Sequence, residues 1–168
     1  MLVLALLFAA PLRAGDAAVS VRIETAYVQP DIDANVRGGG AGASLAYRLT
    51  DQLSAVAGAS ESLLWVPVAG TRSESQHLTM LAAGLEGLLD ATPLAPFLEL
   101  CLVRLIPRTA GYSVALRTAL GADWRFARPL ALGLAVRVLT PLDRVADATV
   151  TAGTEVAVRM TWIPGSRR

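Results

Sequence analysis

The chain has 168 residues, a formal net charge of +1, 54% hydrophobic residues and a mean hydropathy of +0.49. That length suits one domain around one core, and the hydropathy is high for a soluble domain of this size. After the first segment, charged or polar residues interrupt every stretch before the ~20 apolar residues that a membrane-spanning helix requires. No Lys/Arg run or basic stripe exists, which argues against a nucleic-acid footprint. Cys101 stands alone and so excludes an intramolecular disulfide and a zinc cluster; it reads as a small hydrophobe.

The first segment, MLVLALLFAAPLRAGDAA, has an apolar stretch from Leu2 to Ala10, then Pro11 and small residues around Ala14, Gly15 and Ala17. It reads as a signal peptide over residues 1–17, although no Lys or Arg precedes the apolar run. Residues 18–168 are then the mature domain.

Downstream of Ala18, eight stretches of alternating character are separated by Gly, Pro, Asp, Thr and Asn clusters, at about 18–28, 40–50, 53–65, 77–89, 95–105, 111–125, 129–139 and 149–163. Several match the ~9–11 residues of a tilted strand that crosses a bilayer. In the first stretch Val19, Val21 and Ile23 oppose Ser20, Arg22 and Glu24. In ASLAYRL, Leu45, Tyr47 and Leu49 oppose Ser44, Ala46 and Arg48. The third, LSAVAGASESLLW, switches parity near Glu61 unless a bulge intervenes. In SVALRTALGADW, Val114, Leu116, Leu120 and Trp124 oppose Ser113, Ala115, Arg117, Ala119, Gly121 and Asp123. In PLALGLAVRVL, Leu130, Leu132, Leu134, Val136 and Val138 oppose Ala131, Gly133, Ala135 and Arg137. The last stretch offers two periods at once. Glu155 and Arg159 have helical i,i+4 spacing, while Val156, Val158, Met160 and Trp162 repeat every two residues. The two-residue repeat accounts for every other stretch, so Glu155 and Arg159 share a strand face with Gly153, Ala157 and Thr161.

One face is large and aliphatic. The other is Gly, Ala and Ser punctuated by Arg22, Glu24, Arg48, Glu86, Glu99, Arg117, Asp123, Arg137, Glu155 and Arg159. A soluble sandwich or lipocalin places its large aliphatics inside. Small residues on the charged face imply confined space there instead. The expected fold is all-β: an eight-stranded antiparallel up-and-down transmembrane β-barrel with interlocked structural charges inside and lipid outside. Closure follows because an open sheet edge in hydrocarbon leaves backbone groups unpaired at several kcal/mol each. From a periplasmic N-terminus, the short turns are Thr50–Gln52, Asp90–Leu94 and Phe126–Arg128. The outer connections are Gln29–Gly39, Val66–Gln76, Ile106–Ala110 and Thr140–Ala148. Tyr47, Trp124 and Trp162 fall at the periplasmic membrane interface, and Tyr27, Trp65 and Tyr112 at the outer one.

On these grounds the chain resembles the small bacterial outer-membrane β-barrels, the group that includes the OmpA and OmpX transmembrane domains. The resemblance is carried by HLTMLAAGLEGLLD with APFLELCLVRL, by SVALRTALGADWRF with PLALGLAVRVL, and by AGTEVAVRMTW, and it spans residues 18–163. It implies export to the outer membrane and contact with outer-membrane lipid, as a monomer. Two features depart from the group's pattern: aromatic content is only 5%, and the chain continues as IPGSRR after Trp162.

Chemistry is sparse. His77 is the only histidine, so no metal site is expected. Glu74, Ser75 and His77 evoke a hydrolytic triad, as in lipid A deacylases built on such a barrel, but close sequence neighbours rarely meet in the required geometry and a solvated loop end is the simpler reading. Gly38–Gly42 reads as a flexible outer loop entering the wall at a tight spot, because a strand rather than a helix follows it. Glu86 and Glu99 resemble paired acids, yet inward arginines make ion pairing the better account. The expectation is a non-enzymatic barrel with no cofactor. Its competitors are a lipid-modifying enzyme, with His77 and a serine converging at the lipid-facing outer rim, and a soluble lipocalin-like barrel with Leu130, Leu132, Leu134 and Val136 turned inward.

Overall fold

The computed structural model describes residues 19–31, 36–67, 73–89, 93–107, 113–127, 129–142 and 153–164. The proposed signal peptide, Tyr112 and most of the outer connections lie outside the described residues. Eight strands follow one another: β1 Val19–Asp31, β2 Val36–Arg48, β3 Leu53–Pro67, β4 Ser73–Leu88, β5 Leu94–Pro107, β6 Ser113–Ala127, β7 Leu130–Pro141 and β8 Gly153–Trp162. Each pairs antiparallel with its sequence neighbours, and β1 pairs with β8 to close the barrel. Closure consumes both edges, as an environment without hydrogen-bonding solvent demands.

Most strands run further toward the loop end than the alternation suggested. β2 takes in Val36–Gly39, and β4 starts at Ser73 rather than near His77. Pairing with a neighbouring strand satisfies the backbone there whatever the side chains prefer. The run GGGAG is accordingly part of the wall and not a loop, with Gly38, Gly40 and Gly42 set against the backbone of β3. Between β2 and β3, Thr50 Oγ1 accepts from the backbone N–H of Gln52 and Leu53 at 3.3 and 3.1 Å, which holds a tight turn.

The stagger of the barrel can be counted. From His77 on β4 the register steps through Leu63, Gly39, Tyr27, Val156, Val136, Leu120 and Leu98, and returns to β4 at Gly87, ten residues along. Ten residues at ~3.3 Å each, on strands tilted by ~40°, rise ~25 Å, the height of the apolar band on such barrels. The circuit takes eight steps, so Val156, four steps from His77, lies midway in height between His77 and Gly87.

The two faces are sorted as the alternation requires. Leu98, Leu120, Leu134 and Val136 point outward and are 62%, 66%, 55% and 51% exposed. This rules out the lipocalin-like alternative, in which the leucines of β7 would have filled the centre. β3 also corrects the sequence reading. Its pairing with β2 and β4 is unbroken from Ser54 to Trp65, with no bulge and no change of parity. Val56, Ser62 and Leu64 are buried inside, and Glu61 faces outward with Leu63 and Trp65. Two leucines in succession, Leu63 and Leu64, simply occupy opposite faces.

Candidate functional site

The interior is a charged core. Arg22, Glu86, Glu99, Arg117, Asp123, Arg137, Glu155 and Arg159 are buried, and Glu24 and Arg48 are half-buried on the same side of the wall. Arg22 on β1 donates to both oxygens of Glu86 on β4, at 2.9 and 2.6 Å. Arg159 on β8 donates to Glu86 at 2.8 Å and forks onto Asp123 on β6 at 2.9 and 2.8 Å. Its guanidinium carbon also lies 3.6 Å from the centroid of the Phe97 ring, which buries one face of the cation. Small residues make this possible. A side chain at Gly133 would collide with Asp123, and one at Gly121 with Phe97.

A second group sits higher. Arg137 on β7 donates to Glu24 on β1 at 3.0 and 2.5 Å and to Glu155 on β8 at 2.6 Å. Arg117 donates to Glu99 at 2.8 Å, and the Cys101 thiol lies 3.5 Å from the same carboxylate. Glu86 and Glu99 face each other in register, yet each is engaged by arginine, so neither is poised as a free acid. Arg48 lies at the turn end, where it lines a cavity of ≈ 40 Å³ with Arg22, Asp51, Glu86 and Asp123. That volume holds a few water molecules and no more. Apolar packing continues toward the loop end, where Val28, Leu64, Leu78, Met80 and Val103 form a buried cluster.

The outer wall holds a polar cluster that the sequence reading did not assemble. Glu61 on β3 and Thr79 on β4 are directly paired, and His77 lies one outward position above Thr79. The His77 Nδ1 is 3.1 Å from one oxygen of Glu61, and the Thr79 hydroxyl donates to the other at 2.5 Å. A carboxylate only accepts, so Nδ1 carries the proton in this contact. Ser75 shares the same outward face, whereas Glu74, on the alternate parity of β4, does not. His77 therefore takes Glu61 rather than Glu74 as its carboxylate. The missed signal was the uninterrupted alternation of Ala55, Ala57, Ala59, Glu61, Leu63 and Trp65, which puts Glu61 outside without any bulge. Among the described residues, no group of three or more His, Cys, Asp or Glu side chains is placed to hold a metal ion.

Of the aromatic residues, Tyr27, Trp65, Trp124 and Trp162 are exposed on the outer wall and Tyr47 is half-buried. Tyr47, Trp124 and Trp162 lie near the turn end; Trp65 lies near the loop end, with Tyr27 below it.

No protein-family model and no curated protein matches this chain. Solved structures do match its fold. The Neisserial surface protein A aligns at TM-score 0.64 and 16% identity, over 89% of this chain and 99% of that one. The outer membrane protein OprG from Pseudomonas aeruginosa aligns at 0.52 and 13%, over 89% and 95%. The outer membrane enzyme PagL aligns at 0.53 and 9%, over 84% and 98%. The chain thus has the fold of the small eight-stranded outer-membrane β-barrels. That fold serves an enzyme as well as a surface protein, so it does not by itself carry an activity.

Proposed function

We propose, from the outer-membrane barrel fold, that this protein is a monomeric, non-enzymatic barrel of the bacterial outer membrane with a structural or surface-interaction role and no open channel. The observation that supports this reading is the inversion of the two faces. Leucines and valines stand half-exposed around the wall, a surface far larger and more contiguous than a soluble protein tolerates. Arg22, Glu24, Glu86, Glu99, Arg117, Asp123, Arg137, Glu155 and Arg159 are inside, each bonded to an opposite charge, in a hollow that eight strands leave only wide enough for side chains. The end with short turns is then periplasmic and the end with longer connections faces outward. Tyr47, Trp124 and Trp162 anchor the lower interface, and Tyr27 and Trp65 the upper region of the wall.

Cell fractionation combined with gel migration tests this. A folded outer-membrane barrel tracks with the outer membrane and shifts on boiling. A protein that stays in solution without detergent sinks the reading. In planar bilayers the purified protein should give no steady single-channel current.

One observation favours a second reading, a lipid-modifying enzyme on the same scaffold. Ser75 and His77 share an outward face toward the loop end of β4, with Glu61 on His77 Nδ1. No hydrogen bond joins Ser75 or Thr79 to His77 among those the structure defines; Thr79 turns to Glu61 instead, which leaves the arrangement short of a triad. Unchanged outer-membrane lipid in a Ser75→Ala strain, compared by mass spectrometry with the parent, dismisses it.

A further inference from the structure

Of the ten inward charges that the alternation marks, nine are bonded to an opposite charge and Arg48 is not. A cation left unpaired in a partly enclosed space draws an anion to itself. Arg48 is half-buried at the turn end, directly opposite Ser54 on β3, and both residues line the ≈ 40 Å³ cavity there. The carboxylates around that cavity do not serve Arg48. Glu86 receives Arg22 on both of its oxygens and Arg159 on one of them, and Asp123 receives Arg159 on both. Asp51 lies in the exposed turn between β2 and β3, without a bond to Arg48. With Arg125 at the rim and Arg159 behind Glu86 and Asp123, four guanidiniums face three carboxylates among the described residues. One positive charge is in excess, and Arg48 is where it stands unpaired.

The neutral groups around the cavity favour the same sign. Ser20 and Ser54 bring hydroxyls to it, and each can turn its proton toward an anion. Behind them the Nε–H of Arg22 and the hydroxyl of Thr161 are buried without a hydrogen-bond partner in the protein, so no carboxylate cancels their dipoles. Donors are free while the oxygens of Glu86 and Asp123 are taken, which suits an anion and repels no second cation already in place. Volume then sets the size. A space of ≈ 40 Å³ takes a halide with a water or two, whereas a hydrated sulfate or phosphate does not fit.

We infer that Arg48, Ser20 and Ser54 form a binding site at the turn end of the barrel for a small monovalent inorganic anion of the size of chloride. The guanidinium and the two hydroxyls donate to the ion, which balances the excess charge. Only the paired strands β1, β2 and β3 bring these three side chains together, so the ion favours the folded barrel over the unfolded chain. The site needs the closed barrel and not the membrane, and it stands or falls separately from the outer-membrane reading.

Its test uses the full chain in mild detergent, with two readouts: the linewidth of the chloride NMR resonance, and urea unfolding followed by the boiling shift. Unfolding is compared in sodium chloride and in sodium gluconate at equal ionic strength, gluconate being too large to enter. Bound chloride is expected to broaden the resonance, and bromide to reverse the broadening. Above saturation, each tenfold rise in chloride should raise the folded-to-unfolded ratio about tenfold. Arg48→Gln should abolish both effects, Ser54→Ala should weaken them, and Asp51→Asn, which removes a nearby negative charge, should tighten binding. Broadening that survives Arg48→Gln overturns the site, as does equal unfolding of the parent in the two salts. Displacement by sulfate as readily as by bromide overturns it too, since that marks an open charged surface. So does an Asp51→Asn variant that loses stability in gluconate, which would make Asp51 the partner of Arg48. If Arg48→Gln gives no folded barrel, Ser54→Ala and Asp51→Asn decide the matter: chloride effects unchanged in both overturn the site.

Discussion

Glu24 and Arg159 stand directly opposite each other on β1 and β8, yet each reaches past the other to a more distant partner. Glu24 receives Arg137 from β7, and Arg159 crosses the hollow to Glu86 and Asp123. The charges inside this barrel are joined across its lumen as well as along its wall. They act as a plug and as a set of cross-braces between strands that never touch in the sheet.

Arg159 is 1% exposed, bonded to two carboxylates and stacked on Phe97. Arg159→Met leaves Asp123 without its guanidinium and Glu86 with Arg22 alone, and should cost roughly 3–5 kcal/mol. Arg159→Lys keeps the charge but loses the fork onto Asp123 and the flat stacking on Phe97, so it should fall between the two. Urea titration of the boiling shift in mild detergent measures both.

Arg117 and Glu99 allow a sharper comparison, because one contact of 2.8 Å joins them. Arg117→Leu or Glu99→Leu alone leaves a buried charge. The double variant removes both, and its stability should lie closer to the parent than either single one does, with a coupling energy of about 1–3 kcal/mol. Purely additive losses would show that the two residues matter for volume and not for pairing.

Relative height along the barrel is readable from the register. Val156 lies midway between His77 and Gly87 on the circuit around the wall, so Val156→Arg should cost roughly 2–4 kcal/mol in lipid. Trp162 lies at the turn end, and Trp162→Arg should cost about 0–1 kcal/mol from its charge, plus whatever the aromatic anchor contributes. If both arginines were equally tolerated, the apolar wall would not be facing lipid.

Adjacent glycines on β2 should respond oppositely. A side chain at Gly38 would run into the backbone of Leu63 and Leu64, whereas one at Gly39 meets nothing nearer than the Ala26 carbonyl at 3.7 Å. Gly38→Ala is expected to destabilise the barrel by about 1–3 kcal/mol through forced backbone movement, and Gly39→Ala to be nearly neutral. The same unfolding titration separates them.

Alternation alone told which way each residue of β6, β7 and β8 points, because side-chain direction in a strand depends only on parity. It also set the number of strands and placed the polar set of Arg22, Glu86, Arg137 and Glu155 on one side of the wall. Strand ends were less legible, since Val36–Gly39 and Ser73–Gln76 carry turn-type residues whose strand state depends on a partner strand. β3 was misjudged at Glu61 because its two faces differ little in hydrophobicity there, Ala against Ser and Leu against Leu.

What the chain determined by itself, then, was two-sidedness: a greasy face, a charged face, and too little room on the second for anything but interlocking. What only the closed barrel decided was who meets whom. Arg137 and Glu24 are 113 residues apart, and Glu61 and His77 are sixteen. The first pair meets because the ring closes with a stagger of ten residues, the second through the register of β3 against β4. Parity is a property of one strand, whereas stagger exists only once every strand has paired with its neighbour.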